Sequence, residues 1–195
     1  MEAIRTCHDA GITVKMITGD HPVTAEAIGR QLGLLQHGQS AMPGRLLDGL
    51  SSAQLQQAVM STNVFARVAP EHKIALVQAL QAQGHVVAMT GDGVNDAPAL
   101  KSADIGVAMG ITGTAVSKEA AKVVLMDDNF ASITAAVEEG RRVYDNLIKS
   151  LAFVMPTNLG LACTLTASMF FFPTVQVDGV NELLMAMSPS QTLWI

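Results

Sequence analysis

Val86-Val87-Ala88-Met89-Thr90-Gly91-Asp92-Gly93-Val94-Asn95-Asp96-Ala97-Pro98 decides how this chain is read. The apolar start reads as a short buried strand, which runs straight into a turn bearing two carboxylates and an amide. A strand ending in Gly-Asp-Gly places Asp92 at the carboxyl edge of a sheet, where open α/β folds hold their ligands. Gly91 and Gly93 let the backbone come close to a bound anion or metal. Asp92, Asn95 and Asp96 offer hard oxygens of the kind Mg²⁺ selects. A Gly-Asp-Gly triplet alone fits equally well a tight αβ loop with capping aspartates. The longer string Thr90 to Lys101, TGDGVNDAPALK, favours the site.

Working outward, apolar periodicity and breakers predict alternating elements. Ala3 to Ala10 reads as a helix stopped by Gly11, and Ile12 to Ile17 as a strand. Pro22 suits a first helical turn, with apolar spacing over Thr24 to Leu32. Gln36 to Leu50 reads as loop, Ala53 to Met60 as helix and Val64 to Val68 as strand. Pro70 opens a helix over Glu71 to Gln83. Val86 to Thr90, Ile105 to Met109 and Val123 to Met126 read as strands, and Ala131 to Lys149 as a long helix. Such alternation implies a parallel sheet with helices on both faces. Asp20 reads as an N-cap candidate for the helix near Pro22. On spacing alone Lys73 reads as a solvated helix-face lysine.

The net charge of −5 supplies no basic field for nucleic acid. Cys7 and Cys163 make no disulfide framework or metal cluster, which fits a reducing cytosol. His8, His21, His37, His72 and His85 lack metal-ligand spacing and read as surface or loop residues. The N-terminus has no signal-peptide pattern. From Ser150 to Val177 no residue is charged. Leu151 to Phe172 is long enough to cross about 30 Å of hydrocarbon as a helix. Arg141, Arg142 and Lys149 precede it, and Asp178 and Glu182 follow, which orients its N-terminal side to the cytoplasm. A long core helix of a soluble protein is the competing reading. Pro156 removes a backbone donor inside the span. Asn158 is costly in lipid and should face protein or a polar cavity. Such groups make either helix–helix glue or an ion path.

These strings resemble the P-type cation-transporting ATPases, whose phosphorylation domain has the haloacid dehalogenase-like fold. TGDGVNDAPALK is similar to the family's hinge motif. Val14 to Asp20 is similar to its TGD motif, and Phe65 to Lys73 to the segment carrying its lysine. Val124 to Phe130 and Glu138 to Arg141 match the run into the fifth membrane helix. Pro156-Thr157-Asn158 and Pro189 to Ile195 match the fifth and sixth membrane helices of type II pumps. The resemblance implies an incomplete haloacid dehalogenase-like (Rossmann-like) parallel sheet over 1–130 and a stalk helix over 131–150. It implies a transmembrane helix over 151–173, an extracytoplasmic loop over 174–181 and the start of a second membrane helix over 182–195. It places residues 1–150 in the cytoplasm.

By the same resemblance Asp92 ligates Mg²⁺, with Asn95 and Asp96 holding the site. Lys73 neutralises the phosphoryl oxygens, and Thr18, Gly19 and Asp20 sit at the phosphate or nucleotide. Pro156 and Asn158 belong to the ion path. The implied partners are ATP with Mg²⁺, the transported cation, the lipid membrane and the rest of the pump. Gly160 is followed by Leu161 where many relatives carry an acidic residue, which speaks against calcium. No D-K-T-G-T string, with its phosphoryl-acceptor Asp, is present. In the family that strand lies mid-sheet, between the strands ending at Thr18 and Thr90. Without it the isolated chain is expected not to turn over. Two other readings are a Mg²⁺-dependent phosphatase of the same superfamily and a non-catalytic partner or decoy of an intact pump.

Overall fold

A computed structural model describes residues 2–171, 174–177 and 180–183. Six parallel-paired strands form two sheets of three. The first has the order β1 (Met16–Ile17), β3 (Val64–Ala66), β2 (Met42–Pro43). The second has the order β4 (Ala88–Gly91), β5 (Ile105–Met109), β6 (Val123–Leu125). Helices alternate with the strands: α1 (Glu2–Asp9), α2 (Pro22–Gln31), α3 (Ser52–Ser61), α4 (Pro70–Ala82), α5 (Ala97–Ser102) and α6 (Ala115–Ala120). The expected α/β parallel architecture is present. Its sheet is in two parts, and β1 and β4 each have one strand neighbour among the described residues.

Three apolar clusters hold this unit, which covers Met1–Val137. Ala25, Leu34, Leu35, Val64 and Ala66 pack beneath α2. Val59, Phe65, Leu76 and Ala79 join α3 and α4 to the first sheet. Val77, Met89, Ala99 and Leu100 join α4 and α5 to the second. Leu80 packs against both of the latter clusters, so α4 is the seam between the sheets.

Several local outcomes depart from the sequence reading. The strand expected from Ile12 shrinks to Met16–Ile17. Its first residues instead finish α1: Gly11 has φ +73°, and the Ile12 amide donates to the Cys7 carbonyl at 2.8 Å. This is a glycine helix stop, and it consumes residues that look β-prone in isolation. The loop expected over 36–50 contains β2 and a 3₁₀ turn at Gly44–Leu46. β2 has Pro43 at a sheet edge, the position where a strand tolerates a missing donor. β4 is buried on one face only. Met89 is inside and Ala88 exposed, and just before the strand Val87 is inside while Val86 is 79% exposed.

A second unit covers Glu138–Ile195. The helix α7 runs unbroken from Phe130 to Phe171 with Pro156 inside it. The expected stalk and membrane helix are therefore one element. Its residues 130–167 are long and apolar enough to cross a membrane. Within the expected 174–181 loop, β7 (Thr174–Val177) pairs antiparallel with β8 (Val180–Leu183). β8 takes in Glu182 and Leu183, the first residues assigned to a second membrane helix. The remainder of that helix lies outside the described residues.

Candidate active site

Lys73 stands in the first turn of α4, just after Pro70, and its ammonium reaches the Asp96 carboxylate at 2.5 Å. Asp96 lies in the 3₁₀ turn Val94–Asp96 that follows β4. Both side chains are largely buried, at 17% and 10% exposure. The other Asp96 oxygen accepts from the Gly93 amide at 3.1 Å and from the Asp92 amide at 3.3 Å. One carboxylate thus ties a lysine from one element to the backbone of the Gly-Asp-Gly turn. Gly91 is needed for this closeness, since a Cβ there would stand 2.5 Å from the Asp96 Cβ. The sequence reading has Gly91 and Gly93 admit a bound anion or metal. Within the chain itself, what approaches Gly91 is a carboxylate.

Asp92 is exposed, and among the described residues its carboxylate accepts no hydrogen bond. Its backbone is held firmly. The Asp92 carbonyl accepts from the Thr114 amide at 2.9 Å and faces the Ser117 hydroxyl at 3.0 Å. Asn95 is exposed beside it. Among the described residues no three or more His, Cys, Asp or Glu side chains converge on one metal position. The donor set therefore fits a cation held by one protein carboxylate, with water and phosphate oxygens completing the shell, the usual manner of Mg²⁺. Asp96, paired with Lys73 and two amides, is engaged as an orienting group.

Thr18, Gly19 and Asp20 form a second, local group after β1. The Thr18 hydroxyl donates to the Asp20 carboxylate at 3.0 Å and accepts from the Asp20 amide at 3.1 Å. Arg67, with φ +49°, donates its amide to the Asp20 carbonyl, and Val68 donates to the Thr18 carbonyl. Asp20 does not cap α2. The cap is His21, whose Nδ1 accepts from the Val23 amide at 3.3 Å. Among the described residues no hydrogen bond joins this group to the Lys73–Asp96 pair.

Residues 1–104 match the haloacid dehalogenase-like hydrolase family, and residues 72–137 match a second family of the same description. The chain belongs to the haloacid dehalogenase-like hydrolases. This haloacid dehalogenase-like chain is 52% identical to the cation-transporting ATPase pma1 of Synechocystis sp., over 99% of its own length and 21% of the relative's. It is 47% identical to a calcium-transporting ATPase of Bacillus subtilis, over 100% of its length and 21% of the relative's. It spans about a fifth of the length of these curated relatives. Among solved structures, the catalytic domain of the CPx-ATPase CopB-B has the same fold. The TM-score is 0.52 at 24% identity, covering 69% of this chain and 42% of that one.

The haloacid dehalogenase-like unit also contains site neighbours that motif reading passed over. Thr114 and Ser117 were missed because a Thr-x-x-Ser cap looks the same wherever a helix begins. In sequence Asp128 carries no signal beyond its place in the string Val124 to Phe130. It has φ +50° and accepts from the amides of Gly110, Ile111 and Thr112 at 2.6, 3.0 and 2.7 Å. The Ile111 amide first, with those of Thr112 and Gly110, holds its carboxyl down at about 2. His72, read as a surface histidine, is half-buried. Its Nδ1 accepts from the Ala69 amide at 3.2 Å and its Nε2 meets Asp48 at 2.5 Å. It helps fix the helix start that carries Lys73.

Proposed function

We propose that this chain is part of an ATP-driven cation pump, contributing the Mg²⁺- and phosphate-binding hinge and part of the ion path. The observation that supports this most is the Lys73–Asp96 pair braced on the Gly91–Gly93 backbone, beside a free Asp92 carboxylate at a sheet's carboxyl edge. Phosphoryl transfer is mostly positioning and charge neutralisation. Asp92 would hold Mg²⁺, which neutralises developing phosphoryl charge when bound. Lys73 presents a point charge, and Asp96 sets its direction. Asn95, Thr18, Gly19 and Asp20 would contact phosphate or nucleotide.

The partners are ATP, the transported cation, the lipid bilayer and the rest of the pump, with residues 1–150 cytoplasmic. In the span, Pro156 and Asn158 stand about 160° apart around the helix, two positions at 3.6 residues per turn. Pro156 therefore serves an ion path through the Ala152 carbonyl it leaves without an amide donor, and Asn158 through its own side chain. Relatives are named for calcium, for sodium and for cations without a stated ion, so these names select no one cation. Alone, with no D-K-T-G-T string, the chain forms no aspartyl phosphate.

The test is a swap of this chain for the matching fifth of the Bacillus subtilis relative. The hybrid should form acid-stable, hydroxylamine-sensitive phosphoenzyme from ATP. Lys73→Ala or Asp92→Asn within it should slow that step by about 10²-fold or more. A hybrid that labels at the same rate with either substitution refutes the assignment. So does stable label on the isolated chain, for its inactivity.

A further inference from the structure

We infer that Ser117, acting with Thr114, is a positioning residue for the Asp92 carboxylate. The inference rests on the reading of Asp92 as the Mg²⁺ ligand. Ser117 is fully buried, at 0% exposure. It and Asp96 are the two buried polar residues among those described, and both bear on the same turn. Ser117 Oγ lies 3.0 Å from the Asp92 carbonyl and 2.9 Å from the Thr114 carbonyl, so its single proton is shared between them. The Thr114 amide donates to the same Asp92 oxygen at 2.9 Å. Thr114 Oγ1 in turn accepts from the Ser117 amide at 3.2 Å and bonds Ser117 Oγ at 3.1 Å. The start of α6 thus clamps the Asp92 carbonyl, while Asp96 clamps the Asp92 and Gly93 amides.

With its peptide held on both sides, Asp92 can move only through its side-chain torsions. Among the described residues its carboxylate makes no hydrogen bond of its own, so this backbone clamp is what aims it. A buried hydroxyl that orients a ligand through its main chain acts as an outer-shell group, and such groups tune metal affinity. Thr114 has φ −68°, a value proline adopts. Thr114→Pro therefore deletes the Thr114 amide, together with the Thr114 Oγ1 bonds to Ser117, while the Ser117 hydroxyl stays in place.

The experiment uses the full chain in detergent micelles, with amide NMR spectra recorded during titration with Mn²⁺ as the probe. In the unaltered chain, paramagnetic broadening should centre on Gly91 to Gly93. Ser117→Ala should weaken the Mn²⁺ affinity by roughly tenfold, with amide shifts of β4, β5 and β6 unchanged. Thr114→Pro should weaken it similarly and serves if Ser117→Ala does not fold. Asp92→Asn should abolish the local broadening. If Asp92→Asn abolishes it and both clamp variants bind as tightly as the unaltered chain, the positioning role is overturned alone. If Asp92→Asn leaves the broadening intact, the Mg²⁺ reading fails and this inference falls with it.

Discussion

Asp92 and Asp96 stand four residues apart in one turn and meet opposite surroundings. Asp96 is buried and fully paired, whereas the Asp92 carboxylate is exposed and without a hydrogen bond among the described residues. Their substitutions should separate accordingly. Asp96→Ala strands the Lys73 ammonium and two amides and should cost about 3 kcal/mol, the scale for breaking a buried pair. Asp92→Asn changes a solvated side chain and should move stability by less than about 0.5 kcal/mol. Denaturant midpoints of the two variants measure this. Equal losses would mean that both carboxylates are structural. Gly91→Ala pushes a Cβ against Asp96, so it should destabilise by about 1–3 kcal/mol, the scale of overpacking, and a near-neutral melting shift would show that the turn can yield. The two roles were only half legible in sequence. Hard oxygens after a strand can be read from the string, but which carboxylate finds a lysine depends on where α4 lies.

At the scale of elements, the loop 110–112 is organised by one side chain from beyond β6. Three amides and the Thr112 hydroxyl converge on Asp128. They favour the ionised form, so its folded value lies at about 2, below the ordinary 3.8. The sign follows: the stabilisation is complete above the ordinary value and is lost as pH falls through about 2. A carbon-detected titration of the Asp128 carboxyl should therefore show it still ionised at pH 3. A midpoint near 4 would mean that the cradle does not persist in solution. Asp104 shifts the same way, chiefly through the Val87 amide, and Asp127 chiefly through the Ser132 hydroxyl. Strand β5 and helices α2, α3 and α4 were readable because Pro, Ser and apolar spacing mark them locally. β2 was not, because two residues ending in proline carry no strand pattern and exist only by pairing with β3.

For the whole molecule, the division into two sheets carries the largest consequence. β1 and β4 each leave one ladder edge without a strand partner among the described residues, and an open edge is a template for another strand. Under the proposed pump reading, that partner would be the strand leading into D-K-T-G-T. An extended peptide of that sequence should sharpen the thermal transition of residues 1–140 and raise its midpoint. Unpaired groups cost about 1–3 kcal/mol each when buried, against a domain stability of roughly 5–15 kcal/mol. A sharp two-state melt that the peptide leaves unchanged would show that α4 alone closes the unit.

Sequence alone determined the α/β class of the fold, the order of most of its strands and helices (not β2, α5 or α6), the apolar run and the residue types at the site. Each of these follows from spacing of a few residues: period, caps, breakers and an uncharged run. Only the tertiary structure decided that Lys73 belongs to Asp96 rather than to solvent. It likewise decided that Ser117 and Thr114 grip the turn of Asp92. These are contacts between segments far apart in the chain, set by how α4 and α6 pack against β4 and β5, and no local pattern encodes them.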